Sequence, residues 1–155
     1  MKPVAPESAS DYAQWVMSTI DPAVLVPLRA AAQDATKRAY APYSKFFVGA
    51  ALLFDDGTVV TGCNVENVSY GLTSCAERNA LFRAISERGP GAKIVAIAVA
   101  NAAGVACPPC GACRQVMSEF VTADAVVTFP GERGWETLPF AQIFPSSFHF
   151  VPEAP

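Results

Sequence analysis

Apolar and polar positions along the chain fall into a short series of periodic segments. Leu25, Leu28, Ala32, Ala35 and Ala39 recur at helical spacing behind Asp21-Pro22, an N-cap followed by proline at the first helical position. They predict a helix to about Tyr40, ended by Ala41-Pro42-Tyr43. The apolar run FFVGAALLF, residues 46–54, predicts a buried strand. Asp55-Asp56-Gly57 is a hairpin turn signal, and TVVTGC, residues 58–63, returns as a second strand. A polar loop, NVENVSYGLTS (64–74), precedes a helix from about Cys75 to Arg88 with Ala80, Leu81, Ala84 and Ile85 on its core face. Gly89-Pro90-Gly91 stops that helix. Residues 93–99 predict a central strand, about 110–120 a third helix, and 125–129 a fourth strand before a Gly-rich turn at 130–134. The order αββαβαβ, then irregular C-terminal structure, implies a mixed sheet with helices packed on it. Residues 1–20 read as a loosely ordered extension and 21–155 as a single domain.

Composition narrows the function classes. The chain has 155 residues, 52% apolar and 16% charged, enough for a proper hydrophobic core. Net charge is −3 and the eleven Lys and Arg residues are scattered, with no basic stripe of the kind that neutralises phosphates. This argues against nucleic acid and for a neutral small molecule as partner. The longest plain apolar run, Ile94 to Ala100, is far too short to span a membrane. The N-terminus lacks an apolar signal segment, so a cytoplasmic protein is expected. Five cysteines in such a chain argue against a disulfide framework and leave metal binding or catalysis.

The cysteines carry the chemistry. Cys110 and Cys113, in PCGAC (109–113), put two sulfurs on one face of a first helical turn, behind a proline that marks the helix start. Helix N-termini favour the thiolate that a metal needs. Alone, C-x-x-C is equally a redox motif. Cys75, at the start of another predicted helix and followed by Glu77, turns the balance to zinc. Three thiolates rather than four suggest a site that keeps a position for water. The other ligand types fit less well: His149 lies in the C-terminal tail, Cys63 ends a strand, and Cys107 precedes two prolines that aim it elsewhere. Glu77, two residues past a ligand, is placed to move a proton without being a ligand. Arg78 shares the Cys75 face and would offset the net negative charge of three thiolates on one zinc ion.

C-A-E at 75–77 with P-C-G-A-C-R-Q at 109–115 resembles the zinc-dependent nucleoside and nucleobase deaminases, whose signature pairs (His or Cys)-x-Glu with Pro-Cys-x-x-Cys. YAPYSKFFVGAAL (40–52) and GCNVENVSYGLTSCAERNALF (62–82) narrow the resemblance to the small cytidine deaminases, over about residues 25–150. The resemblance implies a three-layer fold with a mixed five-stranded sheet, one zinc per subunit and no organic cofactor. It implies that a zinc-activated hydroxide attacks C4 of the pyrimidine, while Glu77 relays a proton to N3 and then to the departing ammonia. It makes Asn64 and Glu66 the pair that binds the ribose 3′-hydroxyl, and Phe46 an aromatic against the base. It sets Ala76 at the base edge, Tyr70 near the sugar, and Arg78 on the thiolates. It further implies a homotetramer with shared sites, in which Phe148 reaches the substrate of a neighbouring subunit. The C-terminal Ile143-Phe144-Pro145 departs from the family's usual Leu-Leu-Pro.

The expected activity is therefore hydrolysis of cytidine and deoxycytidine to uridine and deoxyuridine in pyrimidine salvage. The alternative is another aminopyrimidine nucleoside, such as a nucleoside antibiotic. A polynucleotide editor is disfavoured by the acidic balance, and because a 3′-hydroxyl held by Asn64 and Glu66 leaves no room for a phosphodiester. A purely structural zinc module would need a fourth protein ligand and no Glu77.

Overall fold

The computed structural model describes Ser8 and residues 20–150. The expected 1–20 extension lies, apart from Ser8 and Ile20, outside the described residues. The elements run α1 (Pro22–Ala35), β1 (Val48–Phe54), β2 (Val59–Cys63), α2 (Ala76–Arg88), β3 (Ile94–Asn101), α3 (Gly111–Ser118), β4 (Val121–Gly131), β5 (Gly134–Pro139) and α4 (Phe140–Ile143). Single 3-10 turns occupy Thr36–Arg38 and Tyr70–Leu72. The sheet order is β2-β1-β3-β4-β5. β1 is antiparallel to both β2 and β3, so β2 and β3 run the same way, and β3 pairs parallel with β4. Strands that run the same way need crossover connections. α2 makes the first and α3 the second, and both lie on one face while α1 covers the other.

The faces are sorted by side-chain size. On β3, Ala96, Ala98 and Ala100 face Leu25, Leu28 and Ala32 of α1, and Ile97 and Val99 join the larger core with Leu52, Phe54, Leu81, Met117 and Phe129. Alternation along a strand delivers that division, and the alanine face lets α1 lie close. Two glycines set how near the helices come. A Cβ on Gly49 would sit 2.1 Å from the Ala32 carbonyl oxygen of α1. One on Gly62 would sit 2.4 Å from the Ala80 nitrogen of α2.

Several boundaries move from the sequence expectation. Asp21 caps α1 as expected, its Oδ1 accepting from the Ala23 N–H at 2.8 Å. The helix stops at Ala35 rather than near Tyr40, because Tyr40 leaves to pair with the 64–66 segment: its N–H donates to Asn64 O and its carbonyl accepts from Glu66 N–H. The first strand begins at Val48, not at residue 46. β4 starts at Val121, directly after α3 and its capping turn. The region expected to be irregular after Gly134 forms β5, an edge strand in a hairpin with β4 whose partners include Val127 with Leu138 and Gly131 with Gly134. Its outer half is exposed, so it lacks the apolar alternation that marks a strand in a sequence. With β5 the sheet has five strands and helices on both faces, the three-layer α/β arrangement expected from the resemblance.

The Gly62 contact is with backbone, which cannot move aside without shifting α2. Gly62→Ala is therefore expected to destabilise the protein by about 2 kcal/mol or more, lowering the melting temperature by several degrees. Gly57→Ala has open space around it but a left-handed φ of 83°, and should cost only about 1 kcal/mol. Thermal unfolding of the two variants checks the ranking; equal losses would contradict it.

Candidate active site

Parallel strands end at the same edge, and so do the helices that follow them. β2 leads through residues 64–75 to the start of α2, and β3 leads through 102–110 to the start of α3. Ligand sites in open α/β sheets collect at this edge. Cys75 and Cys110 are the N-caps of α2 and α3, each in extended backbone, and neither sulfur caps a backbone N–H of its own helix. Their sulfurs are thus free to face each other, at 3.8 Å. Cys113, one turn into α3, is fully buried. Among the described residues these three are the metal-ligand group that converges, with sulfurs all within 4.8 Å of one another.

Three thiols that close cannot all ionise without a cation. Hydrogen bonds from the Cys113 thiol, and then from the Arg78 guanidinium, hold the Cys75 thiol at about 5 against its burial. Cys113 moves the opposite way, kept protonated by its bond to Cys75 and by burial. One thiolate is therefore formed in advance, and a soft divalent cation can displace the remaining protons. The donor set fits zinc: three sulfurs, with no fourth protein ligand among the described residues converging on them. Arg78 Nη2 lies 3.6 Å from Cys75 Sγ and also donates to Thr73 O at 3.3 Å. That is the placement expected for a group offsetting thiolate charge.

Glu77 sits in the first turn of α2 and is 4% exposed. Burial, with a further push from the neighbouring Cys75 charge, raises its carboxyl to about 7. A carboxyl poised there exchanges protons readily near neutrality. It opens with Cys75, Ala76 and Cys110 onto a cavity of about 280 Å³, which Phe46, Asn64 and Glu66 also line. Phe46, Asn64, Glu66, Ala76 and Glu77, from three chain segments, thus share one small-molecule cleft with the metal-ligand candidates Cys75 and Cys110.

The polar pair on this cleft is anchored by its own chain. The Asn64 amide spans the entry to β1, Oδ1 accepting from Val48 N–H at 2.8 Å and Nδ2 donating to Phe46 O at 2.9 Å. Glu66 Oε2 accepts from the Tyr43 and Ser44 N–H groups at 2.9 and 3.2 Å, and Oε1 accepts from the Ser44 hydroxyl. Those bonds, the Ser44 hydroxyl first, keep its carboxyl below the usual range and hence ionised.

Two expected contacts are not brought together in the single chain. Tyr70 is 76% exposed, edge-on to Tyr43, and does not line the cleft. Phe148 is 75% exposed, its backbone held by two bonds to the Gln115 amide on α3. Cys107 stands outside the three-sulfur group, as expected, and also lines the cleft. Burial first, and then nearby negative charge, push its thiol up to about 11, so it stays protonated. His149 lies by Ser147, away from the sulfurs. Ser44, which holds Glu66 and lines the cleft, was not singled out by the sequence, although it lies within the YAPYSKF motif.

The profile of the cytidine and deoxycytidylate deaminase zinc-binding region matches residues 27–129. A cytidine deaminase of Halalkalibacterium halodurans is 50% identical over 116 residues, 74% of this chain and 86% of the relative. A cytidine deaminase of Mycobacterium tuberculosis is 50% identical over 103 residues, 66% of this chain and 76% of the relative. The crystal structure of cytidine deaminase from Burkholderia pseudomallei matches with a TM-score of 0.72 and 45% identity, covering 79% of this chain and 98% of that one. Both the matched span and these identities place the chain in the zinc-binding cytidine and deoxycytidylate deaminase family.

Proposed function

We propose that the protein is a cytidine deaminase, hydrolysing cytidine and deoxycytidine to the corresponding uridine and ammonia. The observation that carries this reading is a buried carboxyl, Glu77, beside three converging cysteine sulfurs at one end of a cleft lined by Asn64 and Glu66. The relatives named above are cytidine deaminases, which favours cytidine over another aminopyrimidine nucleoside.

Cys75, Cys110 and Cys113 would hold the zinc ion, which when bound supplies a Lewis acid that makes a water ligand acidic near neutral pH. Arg78 offsets thiolate charge through its bond to Cys75 Sγ. Glu77 does the proton work. Its carboxylate accepts a proton from the attacking water and delivers it to N3 of the pyrimidine. It then carries the second water proton to the exocyclic amine, which leaves C4 as ammonia. Water and cytidine thus give uridine and ammonia, with Glu77 returned to its starting state. Burial of this carboxyl keeps bulk water from competing for the proton. Asn64 and Glu66 orient the sugar through the 3′-hydroxyl that ribose and deoxyribose share, so both nucleosides are accepted. Phe46 supports the base, and Ala76 lies along its edge.

The catalytic domain spans residues 21–155 and the functional unit is a homotetramer. Tyr70 and Phe148 each complete the site of a neighbouring subunit, consistent with their exposure in the single chain. The role is cytoplasmic pyrimidine salvage. No described helix is long and apolar enough to cross a membrane.

Two measurements test this reading. Uridine formation by the zinc-loaded protein should fall by about 10²–10⁴-fold or more in Glu77→Gln with zinc content unchanged. A Glu77→Gln protein as active as the wild type would contradict the proton role. Replacing Cys75, Cys110 or Cys113 singly by Ala should drop bound zinc well below one per chain after dialysis, whereas Cys63→Ala and Cys107→Ala should retain it. Metal analysis of the five purified variants checks this, and zinc loss in either control would redraw the ligand set.

A further inference from the structure

Asn79 lies one helical turn beyond Cys75 on α2, and its backbone N–H donates to Cys75 O at 3.1 Å. Its side chain is spent on two other segments. Nδ2 donates to Cys63 O at 2.8 Å and to Ser74 O at 3.4 Å, and Oδ1 accepts from the Ser74 hydroxyl at 2.7 Å. Both donor hydrogens and the carbonyl of the amide are therefore engaged. Cys63 is bonded to Asn64, and Ser74 to Cys75, so one amide ties both ends of the 64–74 loop to the helix. Ser74 also exchanges two backbone bonds of 2.9 Å with Val65, which extends the tie to the middle of the Asn64–Glu66 segment. Asn79 does not line the nucleoside cleft. It borders a separate cavity of about 290 Å³ behind the loop, with Cys63 and Arg83. It can act on substrate only by setting where Asn64 stands relative to Cys75 and Glu77.

We infer that Asn79 is a positioning residue, whose side-chain amide holds the sugar-binding segment in register with the helix that carries the metal ligand and the proton carrier. The inference rests on the nucleoside-deaminase reading above. Asn79→Ala removes all three bonds. Asn79→Asp keeps the shape and the Ser74 bond but sets a carboxylate oxygen against the Cys63 carbonyl, where neither group can donate. Ser74→Ala removes only the bond that orients the amide.

The experiment is steady-state cytidine kinetics on the zinc-loaded wild type and the three variants, with calorimetric binding of uridine as a readout independent of turnover. Asn79→Ala and Asn79→Asp should raise KM, and the uridine Kd in parallel, about five- to tenfold, with kcat within about threefold of wild type. Ser74→Ala should shift both constants less and in the same direction. Adding it to Asn79→Ala should change nothing further, since both remove one shared interaction. A general loosening of the fold would instead lower kcat and zinc content at unchanged KM, and that result overturns the assignment. So does an unchanged KM in whichever variants fold. A wild type that neither turns over cytidine nor binds uridine would overturn the deaminase reading and this inference together; an active wild type with indifferent variants overturns the inference alone.

Discussion

The approach of two helix N-termini, with Cys75 and Cys110 sulfurs 3.8 Å apart, is the contact on which the rest of this structure turns. Nothing in sulfur chemistry favours three thiols packed together without a cation, and the hydrogen bond between Cys75 and Cys113 lowers the first thiol while raising the second. The approach is enforced from outside the site. α2 and α3 are successive crossovers between strands that run the same way, so both begin at one sheet edge and pack on one face. Gly62 lets α2 lie against β2 at a distance that no side chain would allow. A backbone constraint thus assembles a polar site that its own components, left alone, would push apart.

The rim obeys the same logic with hydrogen bonds. Asn64 and Glu66 are fastened by Phe46, Val48, Tyr43 and Ser44, so little conformational freedom is left at the rim of the cleft. The cleft is fixed at three places: the sulfurs by two helices, the polar pair by the approach to β1, and the junction between them by the Asn79 amide. A small nucleoside offers few contacts, and discrimination then depends on how rigidly those few are held.

How legible each part was depends on the range of the interactions that create it. Cys75, Glu77, Cys110 and Cys113 were readable because their chemistry is local: two ligand-bearing turns, each opening a helix, and a carboxylate at fixed offset. The αββαβαβ order was readable from apolar periodicity. The division of β3 into an alanine face and an Ile/Val face was visible as alternation, but its meaning needed α1 on one side and Met117 and Phe129 on the other. β5 was not readable, since an exposed edge strand such as Gly134–Pro139 has no apolar rhythm. Tyr40 escaped the predicted helix because a long-range pairing with residues 64–66 outweighs local propensity. That Cys107 lines the cleft was not readable, because neighbouring prolines constrain backbone, not which cleft a side chain lines. Phe148 carries an expectation that belongs to an assembly and Tyr70 one near the sugar, and the single chain leaves both exposed.

The central claim is that this site is an open, three-thiolate zinc centre rather than a closed structural one. X-ray absorption at the zinc edge of the purified protein tests it most directly. The account predicts three sulfur neighbours at about 2.3 Å and one oxygen or nitrogen neighbour at about 2.0 Å. Four sulfurs, with Cys107 or Cys63 completing the shell, would close the position that water needs and contradict the account.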